Sequence, residues 1–110
     1  MAKPPSVFCV DPYVVDTLMH DLVGHDRRPS AFIVYLYFVR QCGAMPDGSA
    51  RASLARIAEG TGLSRRAVQD AIALLRRRKL LGVSSEGPTA VPTYVARQPW
   101  TDARRRIGTR

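Results

Sequence analysis

Acidic side chains, cysteines and long apolar runs are all scarce in this chain of 110 residues. Its two cysteines, Cys9 and Cys42, lie far apart and outside any CxxC pair, which argues against a disulfide framework or a structural zinc site. Buried or idle thiols in a reducing compartment are expected instead. The longest uninterrupted apolar run, Ala31 to Val39, is too short to span a bilayer, and no signal-peptide core follows Lys3. A cytoplasmic protein without membrane contact is the expectation. Histidine is limited to His20 and His25, which with Asp21 and Asp26 supply ligand-type groups in "HDLVGHD". Their spacing does not set both rings on one helical face, and Gly24 intervenes, so no metal site, cofactor or enzymatic activity is expected.

Basic residues are plentiful by contrast. Seventeen Lys and Arg face nine Asp and Glu, for a formal charge of +8. The excess is uneven: residues 1–50 hold four basic groups against five acids, and residues 51–110 hold thirteen against four. An asymmetry of this kind favours a polyanionic partner. The length suits one compact domain, expected over residues 11–100, with a flexible lead-in at 1–10 and a basic tail at 101–110.

The first regular stretch, "DPYVVDTLMHDLVG", reads as an amphipathic helix with Asp11 as cap, Pro12 at the first helical position and Gly24 as its stop. Val15, Leu18, Met19, Leu22 and Val23 are its expected apolar side. "SAFIVYLYFVRQCG" is rich enough in β-branched and aromatic residues to suit a buried strand, but Ser30 as a cap and Gly43 as a stop favour a mostly buried helix. Its aromatics Phe32, Tyr35, Tyr37 and Phe38 are expected to pack in the core or at a subunit interface. A loop with a short strand at residues 50–52 follows.

From Ser53 the spacing is more informative. Ser53 can cap a short helix over Leu54 to Thr61 whose inward side is Leu54, Ile57, Ala58 and Thr61. Gly62 permits a tight reversal, Leu63 plugs the turn, and Ser64 caps a second helix running from Arg65 to about Lys79, with Gly82 just beyond. At about 100° per residue, Val68, Ala71, Ile72 and Leu75 form one sector, and Arg66, Gln69, Asp70, Ala73, Arg76 and Arg77 fall on the other side. "LLGVSS" and "PTYVARQ" are strand candidates joined by the loop "EGPTAVP", with Val83, Tyr94 and Val95 as packing residues and Trp100 as an anchor.

"LARIAEGTGLSRRAVQDAIA" resembles the winged helix-turn-helix family of DNA-binding domains: Ala58 is the small residue of the first helix, Gly62 sits at the turn, and Ile57, Leu63, Val68 and Ala71 occupy the apolar offsets. The resemblance covers residues 53–97 and, with the preceding helix, reaches back to about residue 30. It implies a mainly α fold with a small β-hairpin wing, in which a three-helical core carries an extra N-terminal helix. The helix-turn-helix spans 53–80 and the wing 81–97. The implied activity is sequence-specific binding of double-stranded DNA, with a transcriptional regulator, such as a repressor, acting as a homodimer as the principal expectation. Two alternatives stand beside it: the DNA-binding module of a plasmid or phage replication initiator, and a winged helix used for protein contacts.

A major groove about 12 Å wide admits one helix, provided the start of that helix protrudes. Ser64, Arg65, Arg66, Gln69, Asp70 and Ala73 are therefore the expected base-reading residues. Arg can pair with guanine and Gln with adenine, and Asp70 can accept from cytosine or orient Arg66. Arg56, Arg76 and Arg77 are the expected phosphate contacts, and the tail residues Arg104, Arg105 and Arg106 are further candidates. Arg76 to Lys79 also suit the helix dipole at its C-terminal end, with or without DNA. The family pattern breaks at the wing, since "SSEGPTAVPT" holds one acid and no basic residue.

Overall fold

The computed structural model describes residues 8–101. The start of the expected lead-in, and the tail with Arg104, Arg105 and Arg106, lie outside the described residues.

Three α-helices and a small antiparallel sheet follow an N-terminal helical segment of unusual winding. That segment is mostly π-helical, with turns at Val14–Leu18 and His20–His25. Asp11 starts it as expected, its carboxylate accepting from the Tyr13 amide at 2.9 Å. Gly24 does not end it. Gly24 lies inside the second π turn, and the chain reverses only at Asp26 and at Arg27, whose φ is +56°. The expected apolar side is narrower too. Val14, Leu18 and Leu22 are buried at four-residue spacing, whereas Val15, Met19 and Val23, each one position on, are exposed. Helix α1 packs against the His20–His25 turn of this segment.

Helix α1 (Pro29–Gly43) is the central element, and the strand alternative does not hold. It buries Ala31, Phe32, Val34, Tyr35, Phe38 and Cys42, and packs against α2 (Leu54–Thr61), α3 (Arg65–Arg77) and the sheet. Ser30 is not its cap: Pro29 occupies the first helical position, where its fixed φ suits helix entry and its missing N–H is no loss, and Arg28 precedes it. The Tyr35 hydroxyl donates to the Arg97 carbonyl at 2.9 Å, and the Cys42 thiol lies 3.4 Å from the Tyr94 carbonyl. Burial pushes both of these groups towards their protonated forms, which fits donors with structural work to do.

Strands β1 (Ala50–Arg51), β2 (Leu81–Ser84) and β3 (Thr93–Ala96) form a sheet in the order β1-β3-β2. In the β2–β3 hairpin Leu81 faces Ala96 and Val83 faces Tyr94, which turns Leu81 and Tyr94 into the core. Phe38 of α1 meets the Tyr94 ring at 4.5 Å between centroids. Trp100 stacks on Tyr13 at 4.4 Å, tying the end of the described chain to its beginning. Close packing also explains a glycine that no turn requires: a Cβ at Gly60 would stand 2.7 Å from the Tyr37 ring, so a side chain there would push α2 off α1.

Candidate nucleic-acid interface

The pair α2–α3 is built as the residue spacing predicts. Ser53 Oγ accepts from the Arg56 amide at 3.2 Å, and Ser64 Oγ accepts from the Ala67 amide at 3.1 Å, so each helix has a side-chain cap on an otherwise orphan N–H. Between them Gly62 adopts φ +81°. Thr61 Oγ1 donates to the Ile57 carbonyl at 2.7 Å and accepts from the Leu63 amide at 3.3 Å, which ties the turn to the last turn of α2.

Val68, Ala71, Ile72 and Leu75 of α3 are buried, as is Leu74, which lay outside the expected sector. A fully buried aliphatic side chain contributes roughly 1.5–3 kcal/mol, so this face commits α3 to the core. The opposite face is free of that duty. Ser64, Arg65, Arg66, Gln69, Ala73, Arg76 and Arg77 are all exposed, and Asp70 is half-buried. Asp70 Oδ2 lies 3.5 Å from Arg66 Nε, one helical turn away, so the carboxylate sits where it orients that guanidinium.

The end of α3 falls close to the expected Lys79: the helix stops at Arg77 with Arg78 as its C-cap, and Gly82 beyond it is paired with Val95 in the hairpin. Lys79 supplies the left-handed residue at φ +61°, and the Lys79 and Leu80 amides donate back to the Arg76 and Leu75 carbonyls. Arg78 is paired within the chain: its Nε and Nη2 both reach Asp26 Oδ2 at 2.8 Å. Asp26 Oδ1 also meets His25 Nδ1 at 2.9 Å, and these partners hold the Asp26 carboxyl below its ordinary range.

Two basic residues join this surface unforeseen. Arg28, in the turn before α1, places Nη1 3.9 Å from Asp70 Oδ2. Arg51 of β1 lines a shallow groove of about 280 Å³ with Arg56, Ser53, Tyr37, Gln41 and Val91. Neither carries a signal in the sequence, because both are brought there by tertiary packing. The hairpin tip offers Ser85 and Glu86, with Ser85 Oγ donating to the Gly87 carbonyl at 2.6 Å. Its lack of cations stands. Among the described residues no three His, Cys, Asp or Glu gather as a metal would require, and no helix is long and apolar enough to cross a membrane.

Chemically, the exposed face is a set of guanidinium and carboxamide donors on a rigid helix, beside a single carboxylate. Comparison of the chain with family models, with curated proteins and with solved structures returned no match.

Proposed function

We propose that the chain is a sequence-specific duplex DNA-binding protein of the winged helix-turn-helix type, acting as a transcriptional regulator through the first half of α3. One observation carries the proposal: α3 buries one face completely and presents Arg65, Arg66, Gln69 and Ala73, behind a Ser64 cap, on the other. The order of elements supports it, with a helix, a short strand, two helices across a Gly62 turn and then a hairpin. Arg76 and Arg77, exposed at the far end of α3, and Arg56, on the first turn of α2, are suited to backbone phosphate. The acid-bearing hairpin tip leaves readout to α3.

A homodimer is part of the proposal. Val15, Met19 and Val23 expose an apolar stripe on the N-terminal segment, away from the basic half of the sequence, and a two-fold protein suits a two-fold DNA site.

Titration of the protein with duplex DNA at several salt concentrations tests the reading. Arg66→Ala should lose roughly 1–3 kcal/mol for the preferred sequence and relax one base position, the cost of a bidentate base contact. Arg77→Ala should weaken all sequences alike and lower the salt slope by about one unit. Unchanged discrimination in Arg66→Ala would remove the assigned register of α3.

A further inference from the structure

The turn of residues 26–28 holds two arginines, and two of its side chains reach one flank of α3. Residues Arg66, Asp70, Leu74 and Arg78 succeed one another at four-residue spacing and so form one ridge of α3. Two of the four are held from the same outside segment. Asp26 takes two guanidinium nitrogens of Arg78 at 2.8 Å, and Arg28 approaches Asp70 at 3.9 Å. Leu74, between those two contacts on the ridge, is buried. Side chains of the turn therefore reach α3 at two points two helical turns apart, with the Asp26–Arg78 pair at 2.8 Å as the closer contact.

A helix with its side chains is about 10–12 Å across, and the major groove is about 12 Å wide. When a helix fills the groove, whatever flanks it meets a wall of phosphates. Arg28 is the cation of this turn that the structure places against α3, through Asp70 at 3.9 Å. Its side chain is 52% exposed, and Asp70, its present neighbour, is 41% exposed and already served by Arg66 at 3.5 Å. An exposed pair at 3.9 Å contributes little, so giving it up for a phosphate costs little as well. Arg78 cannot make the same exchange, because it is the anchor of the turn.

We propose that Arg28 is a phosphate-contacting residue from outside the helix-turn-helix, which fixes the depth and register of α3 against one strand. The inference rests on the duplex-binding reading of α3. Arg28 belongs with Arg77 as a positioning cation and reads no base itself.

The probe is a mixed-sequence DNA duplex of about three helical turns, ~30 base pairs, titrated with the full chain over a range of salt concentrations. Arg28→Ala should lower the slope of log K against log salt by about 0.9, the equivalent of one phosphate, and weaken binding several-fold near 0.1 M salt. Arg28→Lys should restore the slope, and Arg28→Ala in an Asp70→Asn background should still lower it. An unchanged slope in Arg28→Ala, with Arg77→Ala lowering its own, overturns the inference and leaves the parent reading standing. So does an Arg28→Ala effect that vanishes in the Asp70→Asn background, for Arg28 would then act only through Asp70. Absence of any salt-dependent binding by the unaltered protein overturns the parent reading, and this inference with it.

Discussion

At the end of α2 the left-handed backbone falls on Gly62, φ +81°, and at the end of α3 it falls on Lys79, φ +61°. For an L-residue that region costs about 1–2 kcal/mol, whereas glycine enters it freely. Gly62→Ala is thus expected to lower stability by about 1 kcal/mol and Lys79→Gly to raise it by a similar amount, as urea unfolding would measure. No space conflict complicates Gly62→Ala, since a Cβ there meets nothing within 4 Å. The same contrast explains what the residue types could and could not announce. Gly62 marks its turn openly. Arg27 and Lys79 take left-handed backbone without being glycine; the stop of α3 near Lys79 was still legible, whereas that of the N-terminal segment was not, because Gly24 drew attention to a place where nothing ends.

Among the elements, the two helix ends that lack a glycine are joined to each other. Asp26 follows the N-terminal segment, Arg78 caps α3, and their ion pair at 2.8 Å holds both unusual turns in place. The Asp26 carboxyl sits below its ordinary value, first through the His25 hydrogen bond and then through Arg78. A carboxylate of depressed pKa stabilises the fold above its unfolded value of about 3.9, and that contribution is lost as pH falls through the lower folded value. Asp26→Asn should therefore reduce stability at pH 7, by at most about 1 kcal/mol because solvent screens the pair. The deficit should shrink as the pH drops below about 4. Parallel urea titrations at neutral and acid pH check it, and a deficit independent of pH would assign the loss to packing instead. Element identity was legible wherever caps and periodicity agreed, as at Ser53, Ser64 and the two faces of α3. Leu74 was not, because it lies outside the sector of Val68, Ala71, Ile72 and Leu75 and is buried all the same. The π winding of residues 14–25 left no pattern that distinguishes it from an α-helix, and with it went the true width of the apolar stripe.

For the molecule as a whole, the formal +8 charge and its concentration beyond residue 50 were plain from composition. The contribution of Arg28 was hidden, since it belongs to the half of the chain whose acids outnumber its bases. Folding brings Arg28 beside α3, so the basic surface draws on both halves. Pairing two such surfaces through the Val15, Met19 and Val23 stripe would offer DNA two copies of α3. The most direct measurement is selection of bound sequences from a random duplex pool by the unaltered full chain. Enrichment of one inverted repeat, with half-sites about 10 base pairs apart or a multiple of it, is the predicted result. A bound pool with no enriched sequence would contradict the claim that α3 reads DNA.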